Sequence, residues 1–207
     1  REIRKSFIAD GNNKILSADY SQVELRILAH MSEDESLIDA FINGEDIHTR
    51  TAVEIFGTTA ERLDAEARRM AKAVNFGIVY GLSAFGLSRQ LKIFPKEAKK
   101  FIDKYFELYK NVKIYMERTV EDARDIGYTL TLMNRKRYLP DLNSKNRQAR
   151  EAAERIAINS PVQGSAADLI KLAMINLDRE IAQKKLNSRM ILQVHDELVF
   201  ECPPEEE

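Results

Sequence analysis

Asp19 closes an apolar run, Lys14 to Asp19, and Asp196 sits in a two-residue turn between the apolar runs Met190–Val194 and Glu197–Phe200. If these runs are strands packed side by side, both carboxylates reach one sheet edge. Mg²⁺ takes oxygen ligands, usually one or two protein carboxylates with waters and phosphate oxygens. Two such ions about 3.5–4 Å apart can activate an attacking oxygen and stabilise a leaving one, so the residue types suit phosphoryl transfer. Glu197, beside Asp196, reads as an assisting ligand or as an exposed hairpin residue. Aspartate is also a favoured turn residue, which leaves a purely structural reading open for each.

A second set of residues could hold a polyphosphate. Arg68, Lys72, Phe76 and Tyr80 recur every fourth position. On a helix they form one slowly winding stripe about 18 Å long. Two cations precede two aromatics, an order that offers charge to phosphates and planar surface to a sugar and base. The alternative is a helix whose aromatics enter a core while its cations stay solvated. Gly77 and Gly81 cost helix stability and so call for a reason, room for a ligand or for another backbone. Neither belongs to a phosphate-cradling loop, because G-x-x-x-x-G-K-[ST] and G-x-G-x-x-G are absent, which disfavours a P-loop ATPase.

The elements that position these residues follow from pattern. Lys5 to Ala9 and Lys14 to Asp19 read as strands around the turn Asp10-Gly11-Asn12-Asn13. Ser21 with Glu24 forms a capping signature before Val23, Ile27, Leu28 and Met31 at helical spacing. A helical pattern runs from Ser36 to about Lys113 with breaks at Gly44, Gly57, Gly81 and Pro95, its longest stretch being Arg62 to Tyr80. Gly127 opens a second hairpin signal, Tyr128 to Leu132 and Arg137 to Pro140. Two helices are then expected, roughly Arg147 to Asn159 and Gly164 to Lys185. Strands at both ends with helices between predict an α+β fold, an antiparallel sheet carrying a helical insertion.

Composition narrows the chemistry. The chain has 207 residues, 44% of them hydrophobic, enough for a globular core. No apolar run is long enough for a membrane span, and Arg1-Glu2-Ile3-Arg4-Lys5 does not resemble a secretory signal, so a soluble, intracellular chain with no membrane partner is expected. One cysteine and three histidines exclude an internal disulfide and disfavour a Cys/His zinc site, leaving carboxylates for any metal. With 32 Lys+Arg against 33 Asp+Glu, bulk charge gives no reason to expect a polyanion. Basic residues gather at Arg68-Arg69-Met70-Ala71-Lys72, Lys96 to Lys100, Arg135-Lys136-Arg137 and Lys145 to Arg150, clusters that in soluble proteins are mostly solvated faces and less often a nucleic-acid footprint.

Three segments together, Asp19-Tyr20-Ser21-Gln22-Val23-Glu24-Leu25-Arg26, Arg68 through Lys72 and Asn75-Phe76-Gly77 to Tyr80-Gly81, and Gln193-Val194-His195-Asp196-Glu197, resemble the polymerase motifs of the family A DNA polymerases. Asp46-Ile47-His48 and Arg155 through Gln163-Gly164-Ser165-Ala166-Ala167-Asp168 resemble that family in order and spacing as well, so the likeness covers essentially the whole chain. The resemblance implies a right-hand polymerase fold: palm over residues 1–35, helical fingers over 36–147 and palm again over 148–207, with the thumb missing. It also implies a fragment of a longer enzyme of bacterial replication and repair, cytoplasmic and nucleoid-associated. Nothing in it assigns an oligomeric state.

Residue by residue, the resemblance implies that Asp19, Asp196 and the Tyr20 main-chain carbonyl hold two Mg²⁺ ions, with Glu197 assisting. Arg68, Lys72 and His48 contact the phosphates of a dNTP, and Lys72 is a candidate proton donor to pyrophosphate. Phe76 and Tyr80 pack against the incoming sugar and base. Gln22 and Glu24 border the sugar, Glu24 with Tyr80 closing the space a 2′-hydroxyl needs. Arg155, Asn159, Gln163 and His195 line primer-template DNA on its minor-groove side. A single-subunit RNA polymerase is the competing enzyme reading, opposed by the acid at Glu24. A polymerase-derived module that binds nucleic acid without turnover is the other, opposed by the intact Asp19, Asp196, Arg68 and Lys72.

Overall fold

The apolar runs at the two ends of the chain meet in one sheet. In the computed structural model, which describes residues 2–207, β1 (Lys14–Asp19) and β4 (Arg189–Val194) flank β5 (Glu197–Cys202), and both pairings are antiparallel. The β1–β5 register runs from Lys14 opposite Cys202 to Asp19 opposite Glu197. A bulge between Met190 and Leu192 interrupts β4.

The chain divides into two compact units, Arg1–Val23 with Ala166–Glu207, and Glu24–Ser165. The first unit holds the three-stranded sheet. Leu198 and Phe200 of β5 alternate inward and pack with Ile170, Met174 and Ile181, at helical spacing on the end of helix α8 (Arg147–Lys184), and with Met190. Such alternation against a helical stripe is the way a sheet face is covered.

The second unit is mostly helical. It contains α1 (Val23–Ser32) beyond its first residue, α2 (Glu35–Ile42), α3 (Ile47–Phe56), α4 (Ala65–Val79), α5 (Ala84–Leu91), α6 (Pro95–Leu108) and α7 (Lys110–Ile126). The hairpin of β2 (Tyr128–Leu130) and β3 (Lys136–Tyr138) and the start of α8 complete it. Local chemistry sets the boundaries: Asp34, Asp46, Asp64 and Ser83 cap α2, α3, α4 and α5 through side-chain oxygens, and Pro95 occupies the first turn of α6. Gly57 and Gly127 end α3 and α7 in the left-handed region.

Three expectations change. Lys5 to Ala9 is not a strand: a 3₁₀ turn covers Glu2–Ser6, and β1 pairs only with β5 among the described residues. The following turn is held by Glu201, which accepts from the Asp10 backbone (2.7 Å) and from Asn13 Nδ2 (3.2 Å). Helix α1 starts at Val23, directly behind Gln22 at φ +55°. The helical region continues to Ile126, past Lys113. Finally, the two helices expected after residue 147 are one, running through Pro161. There Ser165 Oγ donates to the Pro161 carbonyl (2.6 Å) and accepts from the Leu132 backbone (2.9 Å), tying the proline turn to the β2–β3 loop. Packing at this point outweighs the roughly 3 kcal/mol that an interior proline costs.

Candidate active site

In the sheet unit, backbone pairing places the acidic residues. Asp19 is the last residue of β1 and faces Glu197, the first of β5. The next amide, Tyr20 N–H, donates to the Asp196 carbonyl (3.0 Å), so the ladder extends into the β4–β5 turn. His195 in that turn has φ +55°, a region where histidine is several-fold enriched among non-glycine residues. Gln193 Nε2 donates to its carbonyl (3.0 Å). Asp19, Tyr20, Gln22, His195, Asp196 and Glu197 thus cluster around one end of β1 and β5.

The three acids differ in commitment. Glu197 accepts from both Arg4 guanidinium nitrogens (3.0 and 2.6 Å) and from Ser17 Oγ (2.5 Å), and these bonds, Arg4 first, hold its carboxyl below the usual glutamate range. Neither the Asp19 nor the Asp196 side chain takes an ion pair or hydrogen bond among the described residues. No group of three or more His, Cys, Asp or Glu side chains is arranged to hold a metal among those residues. Carboxylate oxygens with no partner are of the donor type that suits a hard divalent cation completed by substrate oxygens.

In the helical unit, α4 carries the basic-aromatic stripe. Arg68, Lys72 and Tyr80 are exposed and Phe76 is half-buried. Lys72 Nζ lies 5.9 Å from the Phe76 ring centre, and the Phe76 and Tyr80 rings stack at 6.1 Å and 28°. Tyr80 is the residue after the helix, which begins at Ala65, three residues later than its periodicity suggests. Gly77 packs against Leu82 and Leu87. Gly81, at φ +64°, would place a Cβ 3.4 Å from the Arg155 Cα, so the room it leaves is for another backbone.

Asp46 ties α3 to this stripe. It accepts from the His48 (2.9 Å) and Thr49 (3.4 Å) amides and from Arg68 through Nε (2.8 Å) and Nη2. Partial burial works to raise its pKa, but Arg68 and the two amides together hold it below the ordinary value. The ion pair is partly exposed, of a kind worth about 0–1 kcal/mol, so an anionic ligand can compete for Arg68.

His48 is only 4% exposed. Burial pushes its pKa down to about 4, with Asp46 opposing and Lys72 and Arg68 reinforcing, so the imidazole is neutral at pH 7. Its Nδ1 is 2.9 Å from Asn75 Nδ2, and its ring is 5.7 Å from that of Phe76. Asn75 and Asp46 were not singled out by residue type or spacing. The available signal at Asn75 is a polar residue on the buried stripe Ala71, Val74 and Ile78, where it must find a partner. At Asp46 it is the cap position ahead of Ile47.

Arg155 is exposed on α8 beside Gly81, and Gln163 is exposed further along the same helix. Asn159 is half-buried, with an Oδ1 that is screened from solvent and has no partner; Gln22 Oε1 in the sheet unit is in the same state. Buried acceptors without donors cost about 1–3 kcal/mol each, which a ligand donor would recover.

The chain is 58% identical to DNA polymerase I of Caldicellulosiruptor bescii over 204 residues, covering 99% of the chain and 24% of that protein. It is 53% identical to DNA polymerase I of Bacillus subtilis, covering 100% and 24%. Among solved structures, the POL domain of Pol1 from M. smegmatis, in complex with DNA primer-template and dNTP, matches with a TM-score of 0.94 at 50% identity, over 99% of this chain and 36% of that one. The chain therefore spans about a quarter of the length of the curated relatives it matches. A family model described as DNA polymerase family A matches residues 1–207, and the chain belongs to that family.

Proposed function

We propose that this chain is the palm and fingers of a DNA-directed DNA polymerase of bacterial replication and repair, joining a deoxynucleotide to a primer 3′-hydroxyl with release of pyrophosphate. Palm would cover 1–35 and 148–207, fingers 36–147. The observation that carries the reading is the pair of uncommitted carboxylates, Asp19 and Asp196, fixed at one end of β1 and β5 in a chain whose family and solved relative are polymerases. No helix among the described residues is long and apolar enough to cross a membrane.

In this reading Asp19, Asp196 and the Tyr20 carbonyl hold two Mg²⁺ ions, which when bound lower the pKa of the 3′-hydroxyl and offset charge on departing pyrophosphate. Glu197, already neutralised by Arg4, supports the turn that carries Asp196. Arg68, released from Asp46, and Lys72 bind the triphosphate, and Lys72 is the candidate proton donor to pyrophosphate. Phe76 and Tyr80 present a stacked aromatic surface to sugar and base. Gln22 and Glu24 border the sugar; Arg155, Asn159, Gln163 and His195 meet primer-template DNA.

The test is primer extension with Mg²⁺ by a full-length polymerase carrying this sequence, with ribo-, deoxy- and dideoxynucleotides. Glu24→Ala is expected to raise ribonucleotide use relative to deoxynucleotide. Phe76→Tyr adds a hydroxyl near the 3′ position and is expected to raise dideoxynucleotide use by about one to two decades, the worth of a charge-assisted hydrogen bond. Unchanged ratios in both variants would remove this face from the sugar.

A further inference from the structure

We infer that Asn75 is a positioning residue whose side-chain amide fixes His48 as the neutral Nε2–H tautomer, so that the imidazole offers an N–H donor to a triphosphate oxygen. The inference rests on the proposed nucleotide-binding role of α4 and adds the residues behind it. Thr51 Oγ1 donates to Asn75 Oδ1 (3.1 Å) and lies 3.4 Å from the Tyr109 hydroxyl. With its carbonyl committed to Thr51, Asn75 turns its NH₂ toward His48 Nδ1 at 2.9 Å. An N–H must meet a lone pair, so Nδ1 is the unprotonated nitrogen and the proton of a neutral imidazole sits on Nε2.

The chain of bonds is closed to substitution by water: Asn75, Thr51 and Tyr109 are all 0% exposed, on α4, on α3 and at the α6–α7 junction. Protonating Nδ1 would set its N–H against the Asn75 NH₂, two donors face to face, and burial already disfavours the imidazolium. A phosphate oxygen accepts only. Nε2–H is thus the one form of His48 that serves it while Nδ1 stays bonded to Asn75. The polar stripe position at Asn75 gains a functional reason: it orients a histidine on the neighbouring helix, as residues behind metal-binding histidines fix their tautomer.

Long-range ¹⁵N–¹H spectra of the 207-residue chain read the tautomer directly, and three histidines keep them assignable. His48 is expected to show protonated Nε2 and bare Nδ1 from pH 6 to 8. Asn75→Asp, whose carboxylate only accepts, should move the proton to Nδ1. Thr51→Val, which frees the amide to rotate, should give a mixture. In a full-length polymerase carrying this sequence, Asn75→Asp should raise the KM for dNTP about tenfold or more and leave the KM for primer-template unchanged. Wild-type His48 with Nδ1–H, or a spectrum indifferent to both substitutions, overturns the positioning role whatever the KM. A tautomer that switches as expected with an unchanged nucleotide KM overturns the triphosphate contact, and with it the nucleotide reading of α4. The wild-type spectrum needs no variant to fold.

Discussion

In the sheet unit, Asp19 and Asp196 are held by main chain alone, through the β1–β5 register and the Tyr20-to-Asp196 bond, while their own side chains are uncommitted. In the helical unit the candidate groups are held by other side chains: Arg68 by Asp46, and His48 by Asn75, Thr51 and Tyr109. Backbone placement leaves a carboxylate free for a ligand at no cost to folding. Side-chain placement makes function and stability share the same bonds. The two regions should therefore answer mutation differently.

The largest separation is expected at the carboxylates. Asp19→Ala and Asp196→Ala should each lower primer extension at least about 10²–10³-fold, comparable to removing a principal electrostatic group from a site. Thermal unfolding of the same variants should move by no more than about 0.5 kcal/mol, since no bond is lost. A variant that unfolds as readily as a core mutant would erase the distinction.

Gly164 gives the opposite case, a stability effect with no catalytic group touched. A Cβ there falls 2.6 Å from Thr131 Cγ2, and Thr131 cannot simply rotate, because its Oγ1 accepts from the Met133 (3.3 Å) and Arg135 (3.1 Å) amides. Gly164→Ala should cost about 1–3 kcal/mol of overpacking, read as a lower denaturant midpoint. Adding Thr131→Ser removes the methyl and keeps the hydroxyl, so the double variant should recover most of the loss. No recovery would place the strain elsewhere.

The elements were legible in the sequence wherever a local signal decided them. The Met190–Phe200 hairpin and the breaks at Gly57 and Pro95 all rest on residues within one turn of the boundary they set. What was not legible depends on distant partners. Lys5 to Ala9 alternates like a strand yet has no strand beside it, and Pro161 reads as a break until Ser165 and Leu132 are seen to brace it. The α4 stripe was readable from spacing, but the Asn75 network was not, because it joins α3, α4 and the α6–α7 junction across residues 48 to 109.

A smaller effect separates the units by pH. The folded pKa of His48 lies below that of an unfolded histidine, so the unfolded chain binds the extra proton first; stability from this group is intact above about pH 6.5 and is lost as pH falls toward about 4. Glu197 is depressed as well, but as an acid its contribution is present above the ordinary carboxyl value and is lost only as pH falls through the lower folded one. Urea midpoints between pH 7 and 5 should thus decline through the helical unit, and His48→Gln should flatten that decline. An equal slope in the variant would mean that His48 titrates as it does in water.

The carboxylate end can be tested without turnover. Mn²⁺ added in trace amounts to the 207-residue chain broadens the NMR signals of amides near its binding site, and Tyr20 and His195–Glu197 should broaden first. Asp19→Asn combined with Asp196→Asn should abolish the effect. Broadening centred on other acidic residues, or persisting in the double variant, would contradict the assignment of Asp19 and Asp196 as the cation-holding pair.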